Sequence, residues 1–239
     1  MRSDDAASAV LRVLVVDDSA FVRKVVSQML TRSPFLEVVG TARDGEEALE
    51  MIERLSPDVV TLDLVMPRMD GLEFLRRQMA KRPIPVVVCS ISHESGAAAL
   101  EALELGAVEF VQKPTALATD RVYEIAAELV AKVKSAAHSL PSHGILAAAP
   151  AAQPARGVAA KAAASAPATH ADIVTIGIST GGPQALRHLI PLFPADFPVP
   201  IAVVLHMPVG YTAMYAARLN DISALRVVEA GSGEAVVPG

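Results

Sequence analysis

The sequence predicts an α/β chain: a parallel-sheet unit, a linker and a second α/β unit. Three observations carry this. From Val10 to Ala137, short β-branched apolar runs alternate with segments of helical periodicity. Residues 138–170 then turn to Ala with scattered Pro and Gly and hold no acidic residue. From Ala171 a second pattern of strands and helices begins.

In the first unit the strand candidates are Arg12–Val16, Glu37–Gly40, Val59–Leu62, Val86–Cys89 and Glu109–Val111. Between them Phe21, Val25, Val26, Met29 and Leu30 repeat at helical spacing, as do Leu49, Ile52 and Leu55. Val122, Ile125, Leu129, Val130 and Val133 close the series. Strands this apolar have no wet face, so the sheet is expected to be parallel and covered on both sides. Pro141, Pro150, Pro154 and Pro167 break any long helix after it, which makes 138–170 a flexible or semi-extended linker. In the second unit Ile173–Ile178 and Ile201–Leu205 read as strands and Gln184–Leu189 as part of a helix. Met214, Ala217 and Leu219 mark a further helix. The expected domains are therefore 10–137 and 171–239. The latter reads as truncated, because so few residues follow the linker.

Composition narrows the function. Apolar residues at 52% and charged residues at 20% supply a soluble core. A net charge of −5 argues against nucleic acid as partner, and Arg187, Arg218 and Arg226 are scattered rather than patched. The single cysteine, Cys89, sits in an apolar run and reads as a buried, inert thiol in a reducing compartment. The first residues lack a secretory core, and no apolar stretch reaches the ~20 residues of a membrane span. A cytoplasmic protein without membrane insertion is expected.

The chemistry begins at strand ends. Asp17 and Asp18 terminate the run Val13–Val16, and Asp63 terminates Val59–Leu62. Parallel sheets bind ligands outside the carboxyl ends of their strands, near the point where strand order reverses. Three carboxylates gathered there repel one another unless a cation sits among them. Oxygen-only ligands with retained waters suit Mg²⁺, which prepares a site for phosphoryl chemistry. Ser90 closes the fourth strand, where its hydroxyl could bond a phosphoryl oxygen. Lys113 closes the fifth and could pair with the same group as a point charge. Singly, each has a plainer reading, as helix cap, strand-end cap or solvated charge. Acid pair, acid, hydroxyl and lysine in that order at four strand ends is a much rarer coincidence.

VLVVDDSAFVRKVV, TLDLVMPRMDGLEFL and FVQKP resemble the receiver domain of two-component response regulators. The resemblance implies a flavodoxin-like five-stranded parallel domain that takes a phosphoryl group from a phosphohistidine on a sensor kinase onto Asp63. It implies Mg²⁺ held by Asp18, Asp63 and the backbone carbonyl of Val65, with Asp17 acting through the metal's waters. Ser90 and Phe110 match the hydroxyl and aromatic switch positions. The Lys113-Pro114 bond matches one that is often cis, and Ile91 stands where many receivers carry a small residue.

A second site is readable in Gly177-Ile178-Ser179-Thr180-Gly181, a G-x-S-x-G between a strand and a helix. Small neighbours let a serine project from a sharp turn, and amides at the helix start can stabilise an oxyanion. His206 ends the next strand, which would bring a base beside Ser179. Such turns also bind phosphate or merely turn, and a lone His is usually structural, so from these residues alone a hydrolase stays one reading among several. His188 reads as a surface residue of the helix after Ser179. IVTIGISTGGPQALRHLI and VVLHMPVGYTAMYAARLN, behind a receiver and a linker, resemble the CheB-type chemotaxis protein-glutamate methylesterases. That resemblance implies a Ser-hydrolase domain acting on glutamate methyl esters of chemoreceptors, with deamidation of receptor glutamines in many members. Ser179 would be nucleophile, His206 general base and the Thr180 amide an oxyanion donor, without a cofactor. The family's orienting Asp has no counterpart here, and Asp172, Asp196 and Asp221 do not occupy its position. The alternative is a phosphorylatable receiver carrying an inactive partial hydrolase.

Overall fold

The computed structural model describes residues 10–90, 96–113, 121–139, 172–207 and 210–238. The expected linker from residue 140 onward, Ile91 and Pro114 lie outside the described residues, while His138 and Ser139 close the turn after the last helix of the first unit. The first unit runs β1 (Leu11–Val16), α1 (Ala20–Leu30), β2 (Leu36–Ala42), α2 (Gly45–Leu55) and β3 (Val59–Leu62). It continues with α3 (Gly71–Lys81), β4 (Val86–Ser90), α4 (Gly96–Glu104), β5 (Glu109–Gln112) and α5 (Arg121–Ala137).

All the pairings are parallel, in the order β2-β1-β3-β4-β5. The expected β2 stopped at Gly40, but pairing with β1 runs on to Ala42 after a register shift at Val13/Leu14. Its end is set by backbone bonding rather than by the apolar run.

The side-chain period of two sorts β1, β3, β4 and β5 into two apolar layers. Val13, Val15, Val59, Val87 and Val111 face α1 and α5 in one cluster. Leu14, Val16, Val60, Leu62, Val86, Val88 and Phe110 face α2, α3 and α4 in the other.

Helices α2 and α3 on the second layer begin at acidic caps. Asp44 accepts the Glu47 N–H (2.9 Å) and Asp70 accepts the Glu73 N–H (2.8 Å), each satisfying an amide that a helix start leaves open.

The second unit has β6 (Val174–Ile178), α6 (Gly182–Leu189), a 3₁₀ turn (Ile190–Leu192), β7 (Ile201–Leu205) and α7 (Thr212–Ile222). β6 and β7 form a parallel pair. Unlike the inner strands of the first sheet, neither is buried on both faces, and Val204 is 72% exposed. The unit packs by its helices: Leu186, Ile190, Tyr211, Tyr215 and Leu219 are buried in the same cluster as α3 and α4.

Candidate functional site

Sheet order decides where the acids fall. Strand order reverses between β1 and β3, and Asp17 and Asp63 are the residues that follow those two strands. Carboxylate oxygens of Asp17, Asp18 and Asp63 lie within 4.8 Å of one another, with Asp17 and Asp63 buried and Asp18 exposed. Lys113, at the end of β5, reaches both buried acids: its Nζ is 2.7 Å from Asp17 Oδ2 and 2.6 Å from Asp63 Oδ2.

Local bonds fix the rest. Asp17 Oδ1 accepts the Ser19 N–H (2.9 Å), and Arg23 Nη1 donates to the carbonyls of Asp17 (2.7 Å) and Asp18 (2.9 Å). The Val65 N–H donates to Asp63 Oδ1 (3.3 Å). Gly71 is required behind the site, because a Cβ there would lie 2.4 Å from the Asp63 carbonyl oxygen and 2.8 Å from Leu64 Cα. Both obstacles are backbone and cannot swing away, which explains the Gly in MDGLEFL.

Electrostatics follow the geometry. Burial pushes the Asp63 carboxyl above its ordinary range and Asp17 adds to this, while Lys113 pulls the other way. Burial pulls the Lys113 ammonium down, but hydrogen bonds and charge from Asp17 and Asp63 outweigh it and leave the group above its usual value. One cation thus holds two buried acids together, and three clustered carboxylates with an exposed member retain room for a hard divalent cation. The donor chemistry of the residues fits Mg²⁺.

Ser90 closes β4, and its side chain lies outside the described residues. Phe110 is buried on β5, its ring 4.8 Å from that of Tyr211 at the head of α7. Cys89 is buried, and burial pushes its thiol up to about 12, so it stays protonated and inert.

In the second unit Ser179 and His206 each follow directly on a strand. Ile178 pairs with Leu205, and the His206 N–H donates to the Ile178 carbonyl (3.3 Å), which sets the two candidate residues side by side. Both are exposed. Gly181 takes the left-handed conformation (φ 75°) that turns the chain into α6, and the Gly182 N–H donates to the Ser179 carbonyl (2.7 Å). Thr180 lies in that turn. His188 is exposed, its Nδ1 2.7 Å from the Gln184 carbonyl.

Sequence reasoning missed two groups. One is a buried ion-pair set beneath Phe110: Lys132 Nζ donates to the Phe110 carbonyl (2.9 Å) and lies 3.5 Å from Glu109 and 3.1 Å from Glu128. A Glu in an apolar strand and a Lys between Leu129 and Val133 on a buried helical face were its signals. The other is a polar seam between α4, α6 and α7, carried by Gln184, Arg187 and Arg218. Nothing in the sequence marks it.

Comparison with known proteins agrees with this architecture. The response regulator receiver domain family matches residues 13–123, and the CheB methylesterase family matches residues 174–239. A protein-glutamate methylesterase/protein-glutamine glutaminase of Symbiobacterium thermophilum is 46% identical over 98% of this chain and 67% of its own length. The chain belongs to the CheB-type methylesterase family. A second relative in the family, protein-glutamate methylesterase/protein-glutamine glutaminase 5 of Myxococcus xanthus, is 53% identical over 96% of this chain. The chain spans 64% of that relative's length. Among solved structures, the response regulator domain of Thermotoga maritima CheB is 42% identical with a TM-score of 0.51, covering 55% of this chain and 99% of that one. Among the described residues no helix is long and apolar enough to cross a membrane.

Proposed function

We propose that the chain is the phosphorylation-regulated part of a chemotaxis protein-glutamate methylesterase, with domains at 10–137 and 171–239 joined through 138–170. The observation that carries this is the pairing of two strand-end sites, Asp17–Asp63–Lys113 on the receiver sheet and Ser179–His206 on the second, within one packed chain.

At the receiver, an Asp63 oxygen attacks the phosphorus of a phosphohistidine on a sensor kinase. The P–N bond breaks and an acyl phosphate forms. Lys113, freed from Asp63, pairs with the new phosphoryl group, and the Ser90 hydroxyl donates to it. Asp18, Asp63 and the Val65 carbonyl would hold Mg²⁺, with Asp17 acting through the metal's waters, and the ion would neutralise charge on the transferring phosphoryl group.

At the second site His206 takes the Ser179 proton as the oxygen attacks a glutamate γ-methyl ester, and the Thr180 amide faces the oxyanion. Methanol leaves with the proton from His206, and water then releases the glutamate carboxylate. The same steps on a receptor glutamine release ammonia. The substrate is a chemoreceptor signalling helix in the cytoplasm, and the esterase step uses no cofactor.

Regulation follows from the receiver lying against the helices of the second unit. A charged group on Asp63, sensed through Ser90 and Phe110, biases that contact and raises activity. The test is methanol release from methylated chemoreceptor membranes with Mg²⁺ and acetyl phosphate. Release is expected to vanish in Ser179→Ala and to lose its response to acetyl phosphate in Asp63→Asn. Release that persists without Ser179, or stimulation that persists without Asp63, would overturn the corresponding half of the proposal.

A further inference from the structure

Helix α4 ends in a turn whose carbonyls are completed from the other unit. Gly106 (φ 110°) reverses the chain, the Ala107 N–H donates to the Ala102 carbonyl (2.9 Å) and the Gly106 N–H to the Leu103 carbonyl (3.2 Å). This is the double bond pattern that commonly closes a helix, and it leaves lone pairs open on Leu103, Glu104 and Ala107. Gln184 Nε2 donates to the carbonyls of Leu103 (3.0 Å) and Ala107 (2.9 Å), using both of its protons. Arg187 Nη1 donates to the Glu104 carbonyl (3.1 Å), a cation at the negative end of the helix. One face of α6 therefore reads the whole α4–β5 turn.

Both ends of this contact lead to a candidate site. Gln184 is the third residue of α6, the helix that opens directly behind Ser179, Thr180 and Gly181. The same turn of α6 is also held from α7, where the Tyr215 hydroxyl donates to the Pro183 carbonyl (2.5 Å). Ala107 immediately precedes Val108 and β5, the strand after which Lys113 meets Asp63. The path from one site to the other is thus a turn, a strand and the first turn of a helix.

We propose that Gln184 is a positioning residue: its two donated hydrogen bonds couple the seating of α6 behind Ser179 to the phosphorylation of Asp63. The proposal rests on the receiver reading given above and adds to it the residue through which the two sites communicate. Hydrogen bonds are steeply directional, so any shift of the α4–β5 turn on phosphorylation would weaken both together. Coupling is reciprocal: if the phosphoryl group loosens the Gln184 contact, the Gln184 contact opposes the phosphoryl group. The prediction can therefore be read at Asp63 without any measurement of ester hydrolysis.

The experiment uses this whole chain with Mg²⁺ and beryllofluoride, a phosphoryl analogue that binds an acceptor carboxylate reversibly, so that affinity at Asp63 is read by calorimetric titration. Gln184→Leu keeps the size of the side chain and removes the donors, and is expected to tighten beryllofluoride binding about threefold to thirtyfold. Gln184→Lys restores donors in the same place and is expected to return the affinity to within about twofold of the parent. Equal affinities for Gln184→Leu and the parent overturn the inference and leave the receiver reading standing. Equal tightening in both variants also overturns it, because packing rather than hydrogen bonding would then hold the turn. A parent chain that binds no beryllofluoride at all sinks the receiver reading, and this inference with it.

Discussion

The two candidate sites sit at the same topological place, the carboxyl ends of neighbouring parallel strands, yet they are built in opposite ways. At the first, Asp17, Asp63 and Lys113 are buried behind a sheet whose inner strands are covered on both faces. At the second, Ser179 and His206 are exposed at the end of a two-strand sheet that packs through its helices. Buried like charges persist only where surrounding structure forces them together and supplies a counter-charge. An exposed serine and histidine keep their contact with water and carry no burial penalty, so a shallow scaffold can present them. The depth of each sheet therefore matches the electrostatic demand of the residues it carries.

The sharpest way to break that contrast is to remove packing from each sheet in turn. Phe74 is fully buried (0% exposed) against the first sheet, while Val204 on β7 is mostly open. Phe74→Ala should cost about 3–5 kcal/mol. Val204→Ala should stay within about 0.5 kcal/mol. Urea unfolding of the two variants against the parent measures both. A Val204→Ala loss comparable with that of Phe74→Ala would mean that the second sheet contributes to the common core despite its exposure.

What the sequence made legible follows the same division. Four of the five strands, their parallel arrangement and the acids at β1 and β3 were readable because each of β1, β3, β4 and β5 rests on a local run ending in a polar residue, whereas the end of β2 is set by backbone pairing. Asp63 and Lys113 could be matched before any contact was known, since both fall at the carboxyl end of one parallel sheet and a lysine side chain is long enough to span the strand between β3 and β5. The Ser179–His206 adjacency was readable on the same ground. Gln184, Arg187 and Arg218 were not, because their partners are backbone carbonyls or a carboxylate from a distant segment, and such contacts impose no periodicity. Lys132 was readable in principle: a charged residue beside Leu129 and Val133 must be either a surface group or a paired interior one, and only the fold separates the two. It proves to be an interior one, facing Glu109.

That pair gives the next test, because it asks whether the first sheet tolerates an uncompensated buried charge. Burial pushes the Glu109 carboxyl above its ordinary value, while Lys132, the Phe110 amide and His206 oppose this. Lys132→Met leaves Glu109 without its main counter-charge and should cost about 3–5 kcal/mol near neutral pH. The sign with pH is set by the direction of the shift. A carboxyl raised on folding contributes stability that is fully present below its unfolded pKa and is lost as pH rises through its folded value. The deficit of Lys132→Met should therefore shrink as pH falls far enough to protonate Glu109. Asp63 and Lys113 titrate in parent and variant alike and largely cancel in the difference, whereas Glu128, which is partly exposed, also loses Lys132 as a partner. Adding Glu109→Gln should restore most of the loss. A deficit that does not change with pH, or that survives in the double variant, would mean that Lys132 acts through packing instead.

The smallest effect is expected between the units themselves. Arg218 Nη1 lies 3.0 Å from Glu104 Oε1, and both side chains are partly exposed. A double-mutant cycle with Arg218→Ala and Glu104→Ala should give a coupling of about 0.2–1 kcal/mol. Because water reaches the pair, that coupling should fall towards zero at about 1 M salt, where the screening length is about 3 Å. The polar seam also includes Arg187, which bonds the Glu104 backbone carbonyl and so remains available in Glu104→Ala. A large, salt-insensitive coupling would mean that ion pairing holds α7 to α4. The expected small value leaves that task to Leu186, Tyr211, Tyr215 and Leu219, which are buried with receiver residues in one apolar cluster. It leaves the directional part of the contact to hydrogen bonds on backbone carbonyls. A contact built this way is held by area and oriented by a few bonds, so loosening those bonds can change its geometry without dispersing the apolar core.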